Sequence, residues 1–206
     1  VILESIVTTM NQEGRVNIAP MGPLVSETLA HSNPEDETMV LRPFHSSRTF
    51  QNLMQTRRAV VHVTDDVDLF ARAAVGQLGD QDTLRQWVQP IENERYWVLH
   101  DCHRWFAVDV ESIDDHPPRA DMTCRVIKSG IVRPFFGFNR AKYAVIEAAI
   151  LATRTHLLPR QEVESELRHL QTLVDKTGGA AEEAAFQFLT QAIAEQYASP
   201  HPGGSV

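Results

Sequence analysis

The hydrophobic periodicity of this chain changes at Asn139 from mainly strand-like to helical, and that change narrows the folds open to it. Ahead of it, residues 2–10, 16–24, 38–44, 59–63, 96–110 and 121–130 alternate or run apolar over short lengths, the pattern of β-strands. Behind it, apolar residues recur three and four apart, the pattern of amphipathic helices. Five to seven strands followed by helices suit a small closed antiparallel barrel. A parallel sheet fits poorly, because successive strands would each need a crossover helix between them. The predicted class is therefore α+β with a mainly β core.

The helical part begins with Asn139 as N-cap, and residues 144–152 are apolar apart from Glu147, which predicts a helix buried on most sides. Pro159 opens a second helix with Val163, Leu167, Leu170 and Val174 on one stripe, ended by Gly178-Gly179. A third places Phe186, Leu189, Ile193 and Tyr197 on one face. Residues 199–206 read as a disordered tail. The expected organisation is a barrel domain over 1–138, a helical extension over 139–198 and the tail. Within the first part, Asp65-Asp66 caps a helix through Gln77, and a short helix is expected near 84–88. Residues 11–15 and 116–118 read as turns, and 31–37 as a surface loop.

A net charge of -8 and a pI near 5.6 argue against nucleic acid or an anionic membrane surface as partner. No apolar run approaches the length of a membrane span, and the first residues carry no signal-peptide pattern, so the expected location is the cytoplasm.

Chemistry concentrates in Arg42-Pro43-Phe44-His45-Ser46-Ser47-Arg48-Thr49-Phe50-Gln51-Asn52-Leu53. An extended segment ends there and a helix begins, with Ser46 or Ser47 as N-cap and Arg48 and Thr49 in the first turn. Unpaired amides and a guanidinium would converge on one spot, which suits a phosphate. The same residues equally suit a plain cap with a solvated arginine. Upstream, Asn17 lies among apolar neighbours in the strand leading to Pro20-Met21-Gly22-Pro23, and a polar amide there needs a partner. Pro20 cannot donate to a ladder, so pairing is expected to stop at it and leave backbone groups free for a ligand.

Taken in order, Asn17-Ile18-Ala19-Pro20-Met21, the hydroxyl-rich basic helix start ending in Asn52, and the strand Ala59-Val60-Val61-His62-Val63 resemble the FMN-binding split-barrel proteins of the flavin reductase-like kind. With Phe138-Asn139-Arg140-Ala141-Lys142 and the alanine-rich helix after it, the chain is similar to an uncharacterised group of split barrels with a C-terminal helical extension. The resemblance implies FMN as cofactor. It places Asn17, Ala19 and Pro20 along the isoalloxazine, partly through backbone groups, and Ser47, Arg48, Thr49 and Asn52 at the phosphate. Asn139 and Arg140 become a second anion-binding helix start, although a capped helix with solvated charges accounts for them as well. It further implies a homodimer and an oxidoreductase passing hydride at flavin N5, with NAD(P)H or a small molecule as the other reactant. The long helical tail, and His62 where a strand asparagine is common, depart from the better-known reductases. A flavin binder without turnover and an assembly module are the alternatives.

Other chemistries find less support. In His100-Asp101-Cys102-His103, a strand would turn alternate residues to opposite faces, so the four cannot close on one metal ion. Cys102 and Cys124 allow one disulfide, but nothing marks a disulfide-stapled fold. Neither a nucleophile elbow nor a glycine-rich nucleotide loop is present. His62 reads as a strand histidine with satisfied nitrogens more readily than as a proton donor.

Overall fold

The computed structural model describes residues 1–29 and 37–198. The expected loop at 31–37, except Glu37, and the expected tail at 199–206 lie outside the described residues. The chain divides into two compact units: Val1–Asp65 with Gly79–Phe135, and Asp66–Leu78 with Phe136–Val206.

Among the described residues, the first unit has nine strands: β1 (Ser5–Met10), β2 (Val16–Met21), β3 (Leu24–Val25), β4 (Thr38–Leu41), β5 (Arg58–Val63), β6 (Val88–Ile91), β7 (Tyr96–Leu99), β8 (Arg104–His116) and β9 (Arg119–Ile131). Seven form one antiparallel sheet in the order β2-β1-β5-β8-β9-β4-β3. That sheet returns on itself. Ile2 bridges Leu24 in the same register that pairs Ser5 with Met21, so β3 continues β2 along β1 while its other edge holds β4. The result is a split barrel, antiparallel as the alternation predicts.

Alternation fills the interior. Val7, Met39, Leu41, Ala59, Val61, Phe106, Val108, Met122, Cys124 and Val126 belong to one buried cluster, neighbours on a strand standing two residues apart. The β6–β7 hairpin covers the outer face, where Tyr96 and Val98 pack on Val60 and Ala107. Residues 96–110 therefore form two strands in different sheets; the short helix expected near 84–88 lies earlier, as α3 (Gln81–Arg85), and Val88 opens the extended β6 instead. Gly130, opposite Trp105, has no room for a Cβ: one would stand 2.6 Å from the indole.

The remaining helix of this unit, α1 (Arg48–Thr56), follows β4. Ser47 is its N-cap, accepting from the Phe50 amide at 3.1 Å and donating to the Phe44 carbonyl at 2.7 Å. Its buried face, Thr49, Asn52 and Leu53, packs on β1, β2 and β5, with Leu53 in the barrel core.

The second unit contains α2 (Val67–Ala74), α4 (Arg140–Ala152), α5 (Arg160–Thr177) and α6 (Ala180–Ala198). Ala141, Ala144, Ala148, Ala149 and Ala152 line α4 with side chains small enough for close helix approach, and they meet Val163, Leu167, Leu170 and Val174 of α5 and Phe186, Leu189 and Ile193 of α6. Asn139 caps α4 through the amides of Ala141 and Lys142 and donates to the Thr177 carbonyl at the end of α5. Among the described residues no helix is long and apolar enough to cross a membrane.

Candidate functional site

The strand β2 and the start of α1 meet through side chains. Asn17 Nδ2 donates to Thr49 Oγ1 at 3.1 Å, and Asn52 Nδ2 donates to Thr9 Oγ1 at 3.0 Å. Thr49 and Asn52 sit one turn apart on α1, and Thr9 faces Asn17 across the β1–β2 pair, so the four residues form one polar seam between hairpin and helix. Burial of Thr49 and Asn52 is tolerated because both are bonded.

Beside this seam lies an open strand edge. Gln81 of α3 accepts from the Val16 N–H at 2.8 Å and donates to the Val16 carbonyl at 3.0 Å, standing in for a neighbouring strand. Both groups of Val16 thus point away from β1. By the two-residue repeat of an antiparallel ladder, the N–H and carbonyl of Ile18 and the carbonyl of Pro20 point the same way, toward an edge that has no strand neighbour among the described residues. Pro20 does not end the pairing as expected. It stands opposite Ile6, and Met21 still pairs with Ser5, because the missing N–H falls on the edge that makes no ladder bond. Ala19 shares a strand face with Asn17, and Pro20 takes the other.

At the helix start, the amides of Arg48 and Thr49 have no acceptor among the described residues, as the first turn of a helix requires, while that of Phe50 is taken by Ser47. The Arg48 side chain is exposed and makes no ion pair among the described residues, and Ser46 is exposed beside it. Arg42 is held by Asp121 at 2.9 Å, and the Arg119 guanidinium lies over the Phe44 ring. The sequence alone gives His45 no role. It stacks on Phe50, with centroids 4.4 Å apart, and its Nε2 lies 2.6 Å from Asp115 Oδ1 in the β8–β9 arm. Its signal was its place two residues before the cap.

Arg140 is exposed at the start of α4, where Asn139 and Thr177 already occupy the Ala141 amide; both residues belong to the second unit. The cavity lined by Thr8, Met10, Thr56, Arg58, Arg95 and Tyr96, about 30 Å³, includes none of Asn17, Ser47, Arg48 or Thr49.

The other chemistry-bearing residues are placed differently. His62 is fully buried: Nδ1 donates to the Ile6 carbonyl at 3.0 Å and Nε2 accepts from the Leu99 amide at 3.1 Å. Those partners require the neutral Nδ1–H tautomer, and burial pushes the pKa down to about 4. Burial also pushes the Cys102 thiol up to about 11 and the Cys124 thiol up to about 12. Residues 100–103 form a connection between β7 and β8 instead of a strand, and Asp101 and His103 both reach Arg133.

A protein-family model described as the N-terminal domain of a protein of unknown function (DUF447) matches residues 3–133, and the model of the same family's C-terminal part matches residues 139–191. Among solved structures, an FMN-bound protein of Methanosarcina mazei, assigned to the DUF447 model, superposes with a TM-score of 0.76 at 23% identity, over 93% of this chain and 94% of that one. A flavoredoxin from Methanosarcina acetivorans gives 0.51 at 12% identity, over 65% of this chain and 74% of its own. The flavin reductase HpaC, solved with NADP+, gives 0.50 at 14% identity, over 66% of this chain and 82% of its own. At these identities the likeness is one of fold. The two family models together span the barrel and the helices after it, and the chain belongs to the DUF447 family.

Proposed function

We propose that the first unit binds FMN and serves as a flavin reductase-like oxidoreductase. The observation that carries this reading is the juxtaposition at the seam: a capped helix start with unpaired amides and an exposed arginine is tied by Asn17–Thr49 to an open strand edge. The first suits a phosphate. The second suits the hydrogen-bonding edge of a flat heteroaromatic ring. One ligand that carries both groups fits both features, and the M. mazei family member is FMN-bound.

In this reading Arg48, Ser46 and the amides of Arg48 and Thr49 hold the phosphate. Ser47 acts through its cap, because its hydroxyl is already bonded on both sides. The free groups of Ile18 and the Pro20 carbonyl orient the ring, and Asn17 fixes the strand relative to the helix. Asn52 supports the helix from below through Thr9. Bound FMN would supply two-electron chemistry, with hydride accepted at flavin N5. Hydride transfer needs no acid or base from the protein, and His62, bonded on both nitrogens, is not one. NAD(P)H is the electron donor in this proposal, in line with the NADP+ complex of the reductase of similar fold.

A second copy of the chain completes the site and makes a homodimer. The open β2 edge supports this, as does the exposed apolar run at the end of β9, where Ile131 is 76% and Phe135 56% exposed. The barrel part, 1–138, and the helical part, 139–198, act as separate domains in a protein working in the cytoplasm.

The test is retention of flavin absorbance after FMN loading and desalting. Wild type is expected to keep it and Arg48→Ala to lose most of it, with anaerobic bleaching by NADH or NADPH reporting turnover. Retention without bleaching would leave a flavin binder, and equal loss from both proteins would sink the site.

A further inference from the structure

The cavity between β1, β5 and β7 takes no part in the proposed flavin site. Thr8, Thr56, Arg58, Arg95, Tyr96 and Trp97 are among its walls, and its volume is about 30 Å³. A water-sized atom needs about 10–15 Å³, so the cavity has room for about two.

The hydrogen bonds around it leave donors unspent. Thr8 Oγ1 donates to the Trp97 carbonyl at 2.5 Å, and Thr56 Oγ1 donates to the Asn52 carbonyl at 3.0 Å, so both hydroxyl protons are committed. The Tyr96 hydroxyl donates to Asp109 Oδ1 at 2.7 Å. Trp97 differs. It is 8% exposed, and its indole N–H is buried with no acceptor among the described residues. An indole can only donate, and a buried donor left unpaired is costly.

Charge points the same way. Arg58 is partly buried and makes no ion pair among the described residues. The Arg95 guanidinium lies over the Tyr96 ring, 5.7 Å from its centroid, with Nη2 3.9 Å from Asp109 Oδ2. That of Arg85 lies 5.2 Å from the Trp97 centroid. Asp109 is the carboxylate that answers them from β8, while Glu92 is held by Lys128. Burial, with Asp109 adding to it, pushes the Tyr96 hydroxyl up to about 12 against the opposing fields of Arg95 and Arg58, so both guanidinium groups bear on this wall. In a chain of net charge -8, the cavity carries a local surplus of positive charge.

We propose that this cavity binds the carboxylate group of a small organic acid, with Arg58 and Arg95 supplying the charge and the Trp97 indole N–H a hydrogen bond. A carboxylate offers acceptors alone and matches the fork of a guanidinium. Its two oxygens take the room of about two water-sized atoms, whereas a phosphate group has four oxygens around its centre and overfills the space. The rest of the acid lies outside the cavity.

The experiment uses the whole chain and formate as the probe. Wild type is titrated with sodium formate at constant ionic strength, chloride making up the difference, and the Trp97 indole N–H is followed by 1H–15N NMR after assignment with Trp97→Phe. We expect a saturable shift of that resonance and of the Arg58 and Arg95 Nε–H signals. Inorganic phosphate and chloride should give no saturable shift. Arg58→Gln and Arg95→Gln should each weaken formate binding about tenfold, the equivalent of about 1.4 kcal/mol. A Trp97 resonance that formate does not move overturns the site. Equal shifts with chloride would show general anion screening, and phosphate binding as tightly as formate would overturn the carboxylate assignment. Unchanged formate affinity in both arginine variants would overturn it as well. The wild-type titrations with formate, phosphate and chloride decide the matter even if a variant fails to fold.

Discussion

Asn17 and Thr49, 32 residues apart, are joined by a 3.1 Å hydrogen bond that sets β2 against the start of α1. Asn17→Ala removes the donor and leaves the buried Thr49 hydroxyl without it. That should cost about 1–2 kcal/mol of stability in urea unfolding. In the proposed site it should also weaken FMN binding by about tenfold, since each 1.4 kcal/mol is a factor of ten. Equal FMN affinity in the two proteins would show that the strand and helix need no tether.

Gln81 gives a second test of the same strand. Gln81→Ala strips both partners from Val16, one donor and one acceptor, at the edge of β2. The expected loss is about 1–3 kcal/mol, moderated by water reaching the vacated edge. Amide exchange at Val16 should quicken more than at Val7 in the interior strand. Exchange quickening equally at both would indicate global destabilisation.

His62 should limit stability in acid. Its folded pKa, about 4, lies below the ordinary 6.5, so between those values the unfolded chain binds the proton and the folded one does not. Stability from this residue is present above about pH 6.5 and falls as pH drops toward 4, by at most about 3 kcal/mol. His62→Gln keeps a donor and an acceptor but does not titrate. Unfolding free energies at pH 7 and pH 4.5 should differ less in the variant; an unchanged difference would assign the acid loss to other groups.

Gly130→Ala addresses packing alone. The added Cβ meets the Trp105 ring at 2.6 Å, a contact that only movement of the indole or the strand relieves. We expect a loss of about 1–3 kcal/mol, the usual cost of overpacking. Trp105→Leu in the same background should recover part of it, and failure to recover would place the strain elsewhere in β9.

The sequence by itself determined the features that depend on neighbours within a few residues. Asn139 caps its helix as expected, and Ser47 is the cap of the two serines the sequence offers, because a cap bonds amides two or three residues on. The stripes of α5 and α6 were legible because a helix repeats every 3.6 residues whatever it packs against. The alternation of β1 and β9 and the short apolar run of β5 announced sheet strands for the same local reason. Residues 88–91 were not legible, since Pro90 and the exposed Gln89 hide a strand that pairs with β7.

Tertiary structure alone decided which edge stays open. Val16 and Gln81 are 65 residues apart, and His62 meets Leu99 across 37. Nothing local encodes such pairs, because they form only after loop closure and core burial have set strand register. The same holds for Pro20: whether a proline ends a strand depends on which side its nitrogen faces, and the partner strand settles that.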